Sequence, residues 1–217
     1  PADCGPACIS LSQDVQGEVY DYPEEFFKER VHTIRRPKPD DFQIKEAAEL
    51  IKESKKPIII AGGGVFYSDA TDELSDFAKK HNIPVTQTVM GYSSIKKDHT
   101  HYLGTIGGLG GKAANNLSKE TDTAIAIGTK LADFTTGSWA NFENPNFKLV
   151  SINTARFDAN KHMAQAVVGD AKVSLIELSQ ALGSWKADDN WYKKSRVELK
   201  NWDTYVEKES GPTNQKL

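Results

Sequence analysis

The chain has 217 residues, 27 Lys and Arg against 30 Asp and Glu, a formal net charge of -3 and 38% hydrophobic residues; its mean hydropathy is -0.53. That length and apolar content suit one α/β domain with polar appendages. They exclude a general nucleic-acid binder, which needs a basic surface. No stretch approaches the roughly 20 apolar residues that span a bilayer, and no basic-then-apolar leader opens the chain.

Residues 7–11, Ala-Cys-Ile-Ser-Leu, read as a strand, which makes Cys8 a small core residue. Cys4 and Cys8 are the two cysteines of the chain. Two cannot build a disulfide framework, and a zinc site would need two further ligands. A reducing, cytoplasmic setting is therefore expected. Pro1 is not an initiator methionine and a strand follows within a few residues, so the chain reads as a piece of a longer protein. A connector with Gly17 and Pro23 comes next. Residues 24–39, ending in Arg35-Arg36-Pro37-Lys38-Pro39, read as a surface linker. Asp40 or Asp41 then caps a helix to about Ser54, with Phe42, Ala47, Ala48, Leu50 and Ile51 on its apolar face.

Strand one is expected at 57–61. Its run Ile58-Ile59-Ile60 is apolar towards both faces, as in a strand buried in a parallel sheet. A helix follows from about Thr71 to Lys80, broken by Asn82-Ile83-Pro84. Strand two is expected at 84–89, a long glycine-bearing loop at 90–110, and a helix from Gly111 to about Ser118. Strands three, four and five are expected at 122–127, 147–152 and about 165–168, and a helix from Ala171 to about Leu182 closes the domain. Alternating strands and helices imply a doubly wound, mostly parallel, Rossmann-like α/β sheet. Beyond residue 184, Tyr192, Leu199, Trp202 and Val206 make one apolar stripe on a helical tail. That tail is expected to pack on the sheet domain or on a neighbour.

The candidate site lies at the carboxyl ends of the strands. Gly62, Gly63 and Gly64 let the backbone approach a ligand closely. A standard dinucleotide fingerprint fails, because Tyr67 stands at the third glycine position and Gln87-Thr88 replace the acidic residue after strand two. Gly107, Gly108 and Gly110 lead into a helix start where amides and Lys112 attract anions. Gly128-Thr129-Lys130 follow strand three, Asn153 follows strand four and Asp170 follows strand five. Four such sites converge on one crevice. His99 and His101 read as part of a solvated loop, and His32, His81 and His162 are isolated in sequence. No nucleophile elbow, catalytic triad or carboxylate pair is present.

The segments Gly5 to Gln16, Lys56 to Gly64, Ile83 to Gly91, Leu103 to Gly108, Thr123 to Gly128 and Val168 to Ala171 form an ordered set. As a set they resemble the central domain of thiamine-diphosphate-dependent enzymes, the acetohydroxyacid synthase and pyruvate oxidase group. Ser12 to Glu18, Phe26 to His32 and Ala47 to Lys52 are similar to a branch of that family acting in inositol catabolism. Its members hydrolyse a C–C bond of a cyclic diketone.

The resemblance implies a parent enzyme with thiamine diphosphate and Mg²⁺ held by flanking domains, an active site between subunits and hence a homo-oligomer. The fragment alone would bind neither group and would be inactive. Residues 1–23 would be the end of a preceding pyrimidine-binding domain, 24–39 a linker, 40–183 the central domain and 184–217 a helical connector towards a following domain. Some relatives hold FAD or an ADP moiety at positions equivalent to Gly62–Gly64, Gly107–Gly110, Gly128–Lys130, Asn153 and Asp170. Here Lys130, Phe134 and Asn153 depart from the flavin pattern, and Lys130 lacks the bidentate fork of arginine. The alternative is a nucleotide- or FAD-binding module of a related carboligase or decarboxylase.

Overall fold

The computed structural model describes residues 8–31, 33 and 35–210. The chain divides into two compact units, Pro1–Arg35 and Arg36–Leu217. The first holds a short helix, α1 (Gln13–Gly17), and a 3-10 turn (Glu24–Phe27). Tyr22 and Phe26 meet with ring centroids 5.0 Å apart, and Phe26 and Phe27 at 5.3 Å, yet all three rings stay exposed. The strand expected at 7–11 is not found over residues 8–11, which are exposed, and Cys8 is exposed rather than in a core. A strand exists through its ladder to a neighbour, and no described strand pairs with this segment. Cys4, Gly5 and His32 lie outside the described residues.

The second unit carries a sheet of six parallel strands in the order β3-β2-β1-β4-β5-β6. They are β1 (Pro57–Ala61), β2 (Val85–Gln87), β3 (Tyr102–Thr105), β4 (Thr123–Ile127), β5 (Lys148–Asn153) and β6 (Gln165–Val168). The order reverses between β1 and β4, the topological switch point of a doubly wound fold. β1 and β4 are buried along their whole length, with Ile59 opposite both Val85 and Ile125. Each isoleucine removed from water there contributes roughly 1.5–3 kcal/mol.

Helices cover both faces. On one, Ile59, Ile125 and Val150 pack with Ile51 of α2 (Asp41–Glu53), Phe77 of α4 (Thr71–His81) and Leu178 of α8 (Ala171–Leu182). On the other, Ile58, Ile60 and Ala124 pack with Leu117 of α5 (Lys112–Glu120) and Trp191 of α9 (Asp189–Glu209). Asp40 caps α2, accepting from the Phe42 amide at 2.8 Å. Short helices follow three strands: α3 (Gly63–Tyr67), α6 (Asp133–Thr136) and α7 (Arg156–Ala159).

One expectation changes and one open alternative is resolved. The loop at 90–110 contains β3, an edge strand whose Gly104 sits at φ +100 and breaks the apolar signal. The helical tail packs firmly on the sheet unit: Trp191, Leu199 and Trp202 join its core, while Tyr192 stacks on His101 at 4.6 Å.

Candidate functional site

The carboxyl end of β1 meets that of β4 through backbone alone. Gly62 N–H donates to Ile127 O at 2.8 Å and Gly64 N–H to Gly128 O at 2.9 Å. A Cβ on Gly62 would lie 2.4 Å from Gly128 O, and one on Gly64 would lie 2.5 Å from Gly128 Cα. Gly128 itself adopts φ +59 and donates to Ile152 O at 2.8 Å. The glycines at the switch point therefore close it by direct contact, and glycine is what that closure requires.

The loop after β2 seals the neighbouring gap. Thr88 N–H donates to Ala61 O at 2.9 Å, Ser94 Oγ donates to Gly62 O at 3.2 Å, and a Cβ on Gly63 would meet Met90 O at 2.9 Å. Residues 88–94 thus close against the carboxyl end of β1. Gln87 is buried there, with its Oε1 unpaired.

Thr129 packs against Gly62, and its carbonyl accepts from Asn153 Nδ2 at 3.2 Å. Asn153 in turn accepts from Ala155 N–H at 3.0 Å through Oδ1 and from Gly169 N–H at 3.1 Å through its carbonyl. Asp170 caps α8, accepting from Lys172 N–H at 3.0 Å and Val173 N–H at 3.3 Å, and pairs with Arg36 Nη1 at 3.1 Å. Arg36 also donates to Ser68 O, and Asp170 N–H donates to Pro37 O at 2.8 Å. So the ends of β1, β4, β5 and β6 do come together, laced by their own hydrogen bonds, with Lys130 exposed beside them.

The second glycine group stands apart from that knot. Gly107, at φ +99, donates to Asn115 Oδ1 at 2.9 Å, and Gly108 donates to Phe134 O at 2.8 Å. Gly110 donates to Gly107 O at 2.8 Å. Lys112 turns to α9, its ammonium 4.6 Å from the Tyr205 ring centroid.

Sequence reasoning missed Arg36, which sat in a basic stretch read as linker, 134 positions from its carboxylate. It also misplaced His101. That ring is buried, with Nε2 3.2 Å from Asn82 Oδ1 and Nδ1 3.0 Å from Thr100 Oγ1. Burial, then the neighbouring His99, Arg196 and Lys79, push its pKa down to about 4. His81 is likewise buried, hydrogen-bonded to Trp185 O at 2.8 Å and Ser179 Oγ at 3.1 Å.

Fold, topology and a glycine-closed switch point define a nucleotide-fold domain in which the strand-end glycines hold the protein together. The sequence model of the family described as thiamine pyrophosphate enzyme, central domain, matches residues 44–178, and the chain belongs to that family. It is 48% identical over 182 residues to 3D-(3,5/4)-trihydroxycyclohexane-1,2-dione hydrolase of Clostridium perfringens strain 13, a stretch covering 84% of this chain and 28% of that one. It is 46% identical over 201 residues to the protein of the same name from Clostridium botulinum strain Alaska E43, covering 93% and 31%. A Bacillus cereus strain ZK protein, 3D-(3,5/4)-trihydroxycyclohexane-1,2-dione hydrolase 1, is 46% identical over 182 residues, with shares of 84% and 28%. The chain thus spans under a third of the length of these relatives.

The family implies thiamine diphosphate. Its diphosphate needs a metal ligand set or unengaged donors. Among the described residues no group of three or more His, Cys, Asp and Glu side chains is placed to hold a metal ion. Asp170 is engaged by its helix cap and Arg36, and the glycine-loop amides named above by backbone and Asn115. No described helix is long and apolar enough to cross a membrane.

Proposed function

We propose that this chain is the central domain of a thiamine-diphosphate- and Mg²⁺-dependent hydrolase that cleaves a C–C bond of 3D-(3,5/4)-trihydroxycyclohexane-1,2-dione in a cytoplasmic pathway of inositol breakdown. The observation that carries this reading is 46% identity over 201 residues to a hydrolase named for that substrate, a likeness running well outside the 44–178 window shared by the whole family. Hydrolysis of the bond between two adjacent carbonyl carbons consumes one water and leaves one carboxylic acid and one aldehyde. Cofactor and reacting carbons would be held by flanking domains, in a homo-oligomer. The sheet unit supplies a stiff spacer, since the knot of Gly62, Gly64 and Gly128 fixes its strand ends backbone to backbone.

The test is turnover of the dione, followed by the appearance of ring-opened carboxylate. It would be run on the 217-residue chain and on the polypeptide made from the complete reading frame, each with thiamine diphosphate and Mg²⁺. Turnover by the longer polypeptide alone is expected. Turnover by the 217-residue chain, or a longer polypeptide that decarboxylates or ligates 2-oxo acids and ignores the dione, would overturn the reading.

A further inference from the structure

The start of α9 and the connection before it, 183–188, rest on a seam built around three histidines. His81 ends α4 and His101 directly precedes β3; both are buried, and His99 is half-buried. His81 Nδ1 donates to Trp185 O at 2.8 Å, and Ala187 N–H donates back to His81 O at 2.9 Å. Asn82 Nδ2 donates to Ala187 O at 3.2 Å and to Asp189 Oδ1 at 2.9 Å. That turns Asn82 Oδ1 towards His101 Nε2, 3.2 Å away. Tyr192 of α9 covers His101, with ring centroids 4.6 Å apart, and its hydroxyl donates to Thr100 O at 3.2 Å. These partners fix the ring protons. His81 Nδ1 serves a carbonyl, so its Nε2 accepts from Ser179 Oγ at 3.1 Å, a hydroxyl that already accepts from Lys80 Nζ at 2.9 Å. His101 Nε2 serves Asn82 Oδ1, so its Nδ1 accepts from Thr100 Oγ1 at 3.0 Å. His99 Nδ1 accepts from the His101 backbone N–H at 3.1 Å.

We propose that this seam is an acid-operated latch, in which proton uptake by His81, His99 and His101 releases the 183–188 connection and the first turns of α9 while the sheet stays folded. A second ring proton sets donor against donor at His99 and two cations on one hydroxyl at His81, and it charges a buried ring at His101. The surrounding charges push the same way. Lys80 of α4 and Lys186 of the connection face His81, and Lys79 of α4 and Arg196 of α9 face His99 and His101. The opposing carboxylates are Asp98, beside His99, and Asp189, which Asn82 engages; both are exposed. Lifting the segment takes Tyr192 off His101 and Trp185 O off His81, and opens both rings to water. β1 and β4 beneath contain no ionisable side chain and have no proton to gain. His101 titrates at about 4 when docked, against an ordinary 6.5. From that ring alone, the released fraction rises about 20-fold between pH 7 and pH 5.

Amide hydrogen exchange of the 217-residue chain, read by mass spectrometry, tests this at pH 7 and pH 5, each rate divided by the unprotected rate at that pH. Protection over 185–196 is expected to fall about 20-fold at the lower pH, while protection over β1 and β4 holds. His101→Gln keeps an amide for Asn82 and has no proton to gain, so its fall is expected to shrink to a few-fold. If that variant does not fold at pH 7, His99→Gln, at a half-buried position, makes the same comparison and is expected to fall less than the wild type. Loss of protection in parallel over 185–196 and the two strands would mean that acid unfolds the whole unit, and would overturn the latch. So would protection over 185–196 that is unchanged at pH 5, or a fall in the folded variant as large as in the wild type.

Discussion

The indole Nε1 of Trp191 donates to the carbonyl of Pro57 at 2.8 Å, tying the start of α9 to the first residue of β1 across 134 positions. Both partners are buried, so the bond has no water to replace it. Trp191→Phe keeps most of the packing and removes the donor, leaving Pro57 O unpaired. A loss of about 1–2 kcal/mol is expected, read as a lower urea midpoint with unchanged slope. An unchanged midpoint would show that the bond adds nothing to stability.

The switch-point knot predicts opposite outcomes for two glycine substitutions. Gly64→Ala drives a methyl to 2.5 Å from Gly128 Cα, a backbone atom that has nowhere to go. A loss of about 3 kcal/mol, or failure to fold, is expected. Gly108→Ala meets only Phe134 at 3.8 Å, an ordinary contact, and its φ is not positive. Its effect is expected within about 0.5 kcal/mol. Thermal unfolding of the pair decides. If Gly64→Ala is as mild as Gly108→Ala, the knot is looser than the contacts indicate.

Strands buried on both sides were legible in the sequence because isoleucine and alanine runs such as 58–60 and 124–127 announce them. The cap at Asp40 was legible because a short polar residue precedes apolar helical spacing, whereas Asp170, read as a ligand-binding strand end, also serves as a helix cap. β3 was hidden because Gly104 halves an already short apolar run, and short edge strands carry weak patterns. The site was legible as a set of strand ends but not in its bonding. Nothing local in Gly62-Gly63-Gly64 says whether the freed space admits a ligand or another backbone. The partners that decide it, Gly128 and Met90, come from other turns of the chain. Arg36 and His101 were misread for the same reason, since their surroundings are built by residues far away in sequence.

Arg36 fixes the incoming chain through a carboxylate that is itself nearly buried, with side-chain exposures of 32% for Arg36 and 6% for Asp170. Removing one partner of a fully buried pair costs about 3–5 kcal/mol, but partial exposure of the guanidinium screens this one. Arg36→Ala is expected to lose about 1–2 kcal/mol. Arg36→Lys should recover less than half of that, because one ammonium cannot serve both Asp170 and Ser68 O with a planar fork. A double-mutant cycle with Asp170→Asn should return a coupling of about 1 kcal/mol. Strict additivity would mean that the pair is decorative.

His101 sets a pH dependence whose sign follows from its depressed pKa of about 4 against an ordinary 6.5. Between those values the unfolded chain binds a proton that the folded chain refuses. Stability is therefore complete above about pH 6.5 and falls as pH drops towards 4. The full contribution is on the order of 3 kcal/mol. His81 and His99, both lowered first by burial, act in the same direction. Measuring urea unfolding between pH 7.5 and 5 isolates the histidines, because Asp and Glu stay ionised over most of that range. The wild type is expected to weaken across it. His101→Gln, which has no proton to gain and keeps an amide for Asn82, should show a visibly shallower slope. Parallel slopes for the two proteins would remove His101 from the account and leave His81 and His99 to explain any weakening.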